Sequence, residues 1–231
     1  MGANEDSKRK AAEAALALVE DGMTLGLGTG STAAFFVKGL AGKRVKGVAT
    51  SEETRRIAES VGVAVIEADE STRIDLAVDG ADEIDLRGDL IKGGGGALLR
   101  EKIVASAAAR FVVIADQSKA VAELGAFPLP VEIDRFAWGL AVRRIRAACS
   151  GCGLKGALTL RFRDGAPFLT DGGNYVIDCA LGRIHDPAAL DLALRAIPGV
   201  VTTGLFIGLA DLAFVAGPGG VRTLSFERKP S

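Results

Sequence analysis

Several carboxylates and a lysine, Lys92, are gathered around a run of glycines between residues 79 and 102. Asp79-Gly-Ala-Asp-Glu-Ile-Asp85 is followed closely by Lys92-Gly-Gly-Gly-Gly-Ala-Leu-Leu-Arg-Glu-Lys102. Asp79, Asp82 and Glu101 are residue types that move protons or hold hydroxyl groups, and Lys92 can stabilise a developing negative charge. Such a combination does not serve stability, because consecutive glycines carry an entropic cost and neighbouring carboxylates repel. Local rules are broken most readily where a protein works. Each piece also has a plainer reading. The Asp79–Asp85 stretch suits a solvated acidic turn or a divalent-cation loop, Lys92–Gly96 suits a flexible linker, and Glu101 suits an exposed helical glutamate. Two features weigh against these. The apolar run Asp75-Leu-Ala-Val78 aims the acidic loop into a crevice. The glycine run lies between strand-like Leu90-Ile91 and a good helix, so Gly93, Gly94 and Gly95 are better explained by backbone lying close against a ligand.

A second cluster, Gly26-Leu-Gly28-Thr-Gly30-Ser31-Thr32, sits between a strand and a helix. Serine at 31 departs from the dinucleotide pattern, and the lysine of a P-loop is missing. Thr29, Gly30, Ser31 and Thr32 fit a monophosphate site at a helix N-terminus, or equally a tight turn with a Ser/Thr cap. Asp116-Gln-Ser-Lys119 follows another strand. Lys119 there can reach the same anion, or be a solvated lysine after a capping turn. The one histidine, His185, removes His-based triads from consideration. Cys149-x-x-Cys152 has no second pair to complete a zinc site and reads as structural.

The elements that must position these residues alternate. Asp6-Ser7 is predicted to cap a helix from Lys8 to Val19, and Met23–Leu27 is predicted as a strand. A helix over Ala33–Leu40, capped by Ser31 or Thr32, precedes a strand at Val45–Ala49. Thr50 opens a capping box with Glu53. Further strands are expected at Val63–Glu67, Ile74–Val78 and Phe111–Ala115, with a helix over Ala97–Ala109. Alternation of this kind implies βαβ units. The expected fold class is therefore α/β: a Rossmann-like, mostly parallel sheet with helices on both faces. Its odd loops, Gly28–Thr32, Asp79–Asp85 and Asp116–Lys119, all follow strand C-termini and should meet on one edge.

At Phe127-Pro-Leu-Pro130 the character changes, because prolines interrupt regular pairing. A strand at Val131–Ile133, a helix over Arg135–Ala148, strands at Ala157–Phe162 and Tyr175–Cys179, and a helix over Pro187–Ala196 then suit a smaller α+β, ferredoxin-like domain. Strands at Val200–Phe206, Leu212–Ala216 and Thr223–Phe226 are expected to rejoin the first. The expected division is 1–126 with 203–231 for the catalytic domain and 127–202 for the small one.

Bulk properties exclude other classes. A net charge of −1 and a pI near 6.0 give no footprint for nucleic acid. No apolar run approaches the roughly 18–20 residues that span a membrane. A polar N-terminus unlike a signal peptide and few cysteines point to the cytoplasm.

With these residues assembled, the chain resembles the type A ribose-5-phosphate isomerase family. The resemblance rests on Gly28-Thr-Gly-Ser-Thr-Ala33, Asp79-Gly-Ala-Asp-Glu83, Lys92 through Lys102, Ala115-Asp-Gln-Ser-Lys119, Phe127-Pro-Leu-Pro-Val-Glu132, Thr170-Asp-Gly-Gly-Asn174 and Ile197-Pro-Gly-Val-Val201. A second glycine in the Thr170 motif and the Cys149–Leu154 region depart from the pattern. The resemblance implies interconversion of D-ribose 5-phosphate and D-ribulose 5-phosphate through a cis-enediolate, with no metal and no organic cofactor. It implies Glu101 as the base, Lys92 with the glycine N–H groups stabilising the enediolate, and Asp79 and Asp82 on the sugar hydroxyls and ring opening. Thr29, Gly30, Ser31, Thr32, Gly80, Ala81, Gly93, Gly94, Gly95, Lys119 and Lys8 would bind substrate. A small-molecule sugar phosphate would be the partner, and the chain would form a homodimer or homotetramer. The competing readings are a non-catalytic sugar-phosphate-binding regulator of the same fold, a CoA transferase, and an amino-sugar-phosphate deaminase. The first would need a DNA-binding helix-turn-helix for which neither terminus has room, the second a glutamate in a different loop, and the third usually a histidine.

Overall fold

The structure, a computed structural model, describes residues 3–227 and divides into two compact units. The larger contains the chain up to Ala81, Arg100–Ala120 and the segment from Gly208; the smaller contains Asp82–Leu99 and Val121–Ile207. Residues 82–99, assigned to the first domain from sequence, thus pack with the smaller unit, as do 121–126 and 203–207.

In chain order the elements are α1 (Ala3–Leu16), β1 (Thr24–Leu27), α2 (Ser31–Lys38), β2 (Lys46–Ala49), α3 (Glu52–Ser60), β3 (Ala64–Val65), β4 (Leu76–Asp79), β5 (Glu83–Ile84), β6 (Leu90–Ile91), α4 (Leu98–Ala107) and β7 (Phe111–Asp116). After a 3-10 turn at Gln117–Lys119 come β8 (Leu129–Ile133), α5 (Trp138–Gly151), β9 (Ala157–Leu160), β10 (Phe162–Arg163), β11 (Ala166–Pro167), β12 (Tyr175–Ala180), α6 (Pro187–Arg195), β13 (Val200–Thr203), β14 (Leu205–Phe206), β15 (Leu212–Gly217) and β16 (Gly220–Ser225).

The larger unit is built on a seven-stranded sheet ordered β16-β15-β7-β4-β1-β2-β3. Every pairing in it is parallel except that of β15 with β16. The central strands β4, β7 and β15 are buried along their whole length, as parallel strands covered on both sides must be. Leu25 and Leu27 of β1 share a core with Ala11 and Ala15 of α1, Phe36 and Val37 of α2 and Ala58 of α3. Gly26, between them, faces the other way. There a side chain would overlap Val104 of α4, so α4 covers the opposite face. The chain winds from β1 outward to β2 and β3, then returns past β1 to β4. This reversal opens a crevice beyond the carboxyl ends of β1 and β4.

Three local expectations are corrected. The first helix starts before Asp6-Ser7. Glu5 and Asp6 form its acidic first turn, and Asp6 pairs with Lys10 at 2.7 Å. Gly30, at φ 109°, takes the N-cap position of α2, so Ser31 and Thr32 enter the helix with their hydroxyls uncommitted to capping. The cap of α3 is Ser51, whose Oγ accepts the Thr54 N–H; Thr50 instead donates its hydroxyl to the Leu27 carbonyl at 3.0 Å.

The smaller unit carries an antiparallel sheet ordered β13-β8-β12-β9, reached in the sequence β8-α5-β9-β12-α6-β13. That is the βαββαβ arrangement expected. Leu129, Val131 and Ile133 alternate onto the face covered by Ile145 of α5 and by Leu190 and Leu194 of α6. Pro130 and Glu132 point to the opposite face. Pro130 lies inside β8 and does not break it, because its carbonyl and absent N–H both face Gly204, just past the end of β13. A second, three-stranded sheet, β14-β6-β5, carries Leu90-Ile91 into the glycine run.

Candidate active site

In the larger unit the crevice between β1 and β4 holds Gly28–Thr32 and Asp79. Asp79 is the last residue of β4 and 3% exposed, so it belongs to the strand end and not to a solvated turn. Its Oδ1 accepts the N–H of Thr29 at 3.1 Å and of Gly80 at 2.7 Å. Gly28 is required by this approach, since a Cβ there would overlap the Asp79 carboxylate. Beyond it, Gly30 turns the backbone so that the first N–H groups of α2 face outward, with Ser31 exposed and Thr32 half-buried. Lys8 of α1 donates its ammonium to Ser31 Oγ at 3.0 Å, bringing a cation to the helix N-terminus. Lysine, hydroxyls and helix dipole together are what an anion needs.

Thr29 has a different surrounding from the one expected. Its hydroxyl lies within hydrogen-bond distance of Thr50 Oγ1 (2.8 Å), Ser51 Oγ (2.9 Å) and Thr54 Oγ1 (3.1 Å). Thr54 in turn donates to the Gly28 carbonyl at 3.0 Å. Sequence reasoning missed this hydroxyl cluster, although Thr50-Ser51 follows β2 just as Gly28-Thr29 follows the adjacent β1. The cluster pins the loop from behind.

Glu101 lies in the first turn of α4 and is 5% exposed. A solvated helical glutamate would not be. The neighbouring Arg100 anchors this turn through Glu52 on α3 at 2.9 Å and holds the Glu52 carboxyl below its ordinary range. Gly80 and Ala81 are half-buried at the end of β4. Lys119 is half-buried in the turn after β7, a strand adjacent to β4.

In the smaller unit, Lys92 is 3% exposed, its N–H bonded to the Gly204 carbonyl and its ammonium 5.5 Å from the centre of the Phe206 ring. Asp82 Oδ2 accepts the Gly94 N–H at 2.7 Å, so the acidic motif and the glycine run are joined directly. Gly93 is buried at φ 102° against Leu98 and Pro130, while Gly95 is exposed with open space where a side chain would begin. The remaining carboxylates of the motif are structural. Glu83 accepts the N–H groups of Gly125 and Phe127, and Asp85 accepts those of Arg87 and Asp89. Two contacts to the glycine run had no sequence signal: Arg161, bonded to the carbonyls of Gly93 and Gly94, and Phe168, packed against Gly96.

A doubly wound sheet with a lysine, hydroxyls and a helix N-terminus beside a buried carboxylate at its switch point suits one class: enzymes that act on small phosphorylated metabolites. Comparisons make this specific. Residues 46–220 match the family model of ribose 5-phosphate isomerase A (phosphoriboisomerase A). The chain is 57% identical over 223 residues to ribose-5-phosphate isomerase A of Brucella suis biovar 1 (strain 1330), covering 94% of this chain and 96% of that one. To the protein of the same name from Rhodopseudomonas palustris (strain BisB18) it is 55% identical, covering 96% and 98%. Among solved structures it is similar to ribose 5-phosphate isomerase A of Methanocaldococcus jannaschii, with a TM-score of 0.87 and 40% identity over 96% of this chain and 99% of that one. A D-ribose-5-phosphate isomerase solved in complex with phospho-erythronic acid gives a TM-score of 0.89 at 37% identity, covering 97% and 100%. The chain belongs to the ribose 5-phosphate isomerase A family.

Proposed function

We propose that this chain interconverts D-ribose 5-phosphate and D-ribulose 5-phosphate, with Glu101 as the base that carries the proton. In the open-chain aldose, Glu101 takes the C2 proton and the electrons pass to O1, giving a cis-enediolate. Glu101 returns the proton to C1 while O2 becomes the carbonyl and the hydroxyl proton passes from O2 to O1. One carboxylate can serve both carbons from one face. The Lys92 ammonium and the N–H groups of the glycine run stabilise the charge that develops on the two oxygens. Asp79 and Asp82, each oriented by backbone N–H donors, hold sugar hydroxyls and assist ring opening. Lys8, Ser31, Thr32 and the N–H groups after Gly30 take the phosphate, with Lys119 assisting, and this anchorage orients the reacting end. Phospho-erythronic acid, a phosphorylated acid of sugar type, is an expected competitive ligand.

The observation that carries this reading is the burial of Glu101, 5% exposed at the start of α4, in a member of this family. The test follows ketose formation from ribose 5-phosphate in the presence of EDTA. Glu101→Gln is expected to lower kcat by about 10²–10⁴-fold, and turnover equal to wild type would remove Glu101 as the base. The reading extends to a cytoplasmic homo-oligomer, dimer or tetramer. It is supported by large apolar side chains exposed on the smaller unit, among them Phe136 and Leu192, and light scattering of the purified protein decides the copy number. Among the described residues no helix is long and apolar enough to cross a membrane.

A further inference from the structure

We propose that Arg161 is a positioning residue for the isomerisation: it sets the orientation of the peptide groups of the glycine run, and Asp178 sets Arg161. The inference rests on the reading above, in which that run stabilises the enediolate. Arg161 follows β9 and is held side-on by Asp178 of β12, with Nε 2.9 Å from Oδ2 and Nη2 bonded to Oδ1. This fork geometry fixes the guanidinium plane and leaves Nη1 directed away from the carboxylate. Nη1 donates to the carbonyl of Gly93 at 2.8 Å and to that of Gly94 at 3.2 Å. The Phe168 ring centre lies 5.8 Å from the same guanidinium, and the ring packs on Gly96 so closely that a side chain there would overlap it. The Arg161 side chain is only 12% exposed.

A trans peptide points its carbonyl and the following N–H in opposite directions. With the Gly93 and Gly94 carbonyls both drawn to Nη1, the N–H groups of Gly94 and Gly95 leave by the opposite side. The Gly94 N–H meets Asp82 Oδ2 at 2.7 Å. By the same geometry the Gly95 N–H issues on the side of Asp82, at an exposed residue with open space where a side chain would begin. Arg161 therefore holds Asp82 indirectly and presents Gly95 as a donor to the developing oxyanion. Without it the Gly93 carbonyl keeps its turn bond from the Gly96 N–H at 3.0 Å, but the Gly94 peptide, flanked by glycines of wide conformational freedom, loses the donor that orients its carbonyl.

The test measures kcat and KM for Arg161→Ala, Arg161→Lys and Asp178→Asn, each normalised to the folded fraction from circular dichroism. Arg161→Ala is expected to lower kcat about 10–100-fold with KM within about threefold of wild type, because the lost contacts orient groups that act on the transition state. Arg161→Lys, which can reach one carbonyl, should recover part of that loss. Asp178→Asn should lower kcat in wild type but not further in the Arg161→Ala background, since the two act as one unit. A kcat per folded molecule within about twofold of wild type in Arg161→Ala, or a loss confined to KM, overturns the proposal. If Arg161→Ala does not fold, a wild-type kcat in both other variants overturns it equally. Glu101→Gln in the same assay separates the two readings: an inactive Glu101→Gln beside a fully active Arg161→Ala removes only this inference.

Discussion

At Gly28 the backbone passes so close to Asp79 that no side chain fits between them, and both residues are buried. Gly28→Ala must push Asp79 away from the Thr29 and Gly80 N–H groups that orient it. Overpacking of this kind costs about 1–3 kcal/mol. The larger effect is expected in the assay, where a displacement of about 1 Å at an orienting group lowers kcat/KM roughly 10²-fold. Steady-state kinetics beside a thermal melt check both. At this scale the sequence was most informative where it broke its own rules. Glycines set among carboxylates were conspicuous because no fold needs them, and Asp79, Lys92 and Glu101 could be picked out for that reason. Thr29 and Arg161 show what stayed hidden. A threonine reads the same whether it faces a ligand or three other hydroxyls, and an arginine 68 residues from the carbonyl it binds has no local signature.

Helices and strands obey more local chemistry, and one cap isolates that scale. Asp186 Oδ1 accepts the Ala189 N–H at 2.9 Å at the start of α6, with Pro187 in the first helical position. Asp186→Ala removes a cap worth about 1 kcal/mol. A fall of about 2–4 °C in Tm is expected for a chain of this size, with kcat per folded molecule unchanged because the helix end lies outside the proposed machinery. Equal losses of kcat and stability would contradict that separation. The alternation of strand and helix was legible because apolar period and glycine punctuation agree over most of the chain. Boundaries were less so. Gly30 displaced Ser31 from the cap of α2 since its positive φ, which a serine adopts poorly, was needed to turn the chain. Pro130 misled as a breaker because its missing donor falls beyond the end of the neighbouring strand, a fact that depends on register and not on composition.

The molecule as a whole joins a large parallel sheet to a small antiparallel one, and the core of the second contains thiols. Burial pushes Cys149 from an ordinary 9.0 up to about 11, and Cys179 is pushed upward as well. Unfolded thiols therefore ionise first as pH rises. The folded state is at no disadvantage below pH 9, and stability declines as pH climbs through about 11. Urea midpoints across that interval should fall faster for wild type than for Cys149→Ala; parallel curves would show that the thiol contributes nothing. The topology of the larger sheet has a consequence for how the protein is made. β15 is inserted between β7 and β16, yet it is encoded after every residue of the smaller unit. During synthesis the smaller unit can therefore close while the flank of β7 still lacks its neighbour, a six-residue buried strand showing unpaired backbone to solvent. A nascent chain stalled at Ile207 should accordingly be sticky and depend on chaperones, and the next ten residues to emerge should supply the strand that seals it.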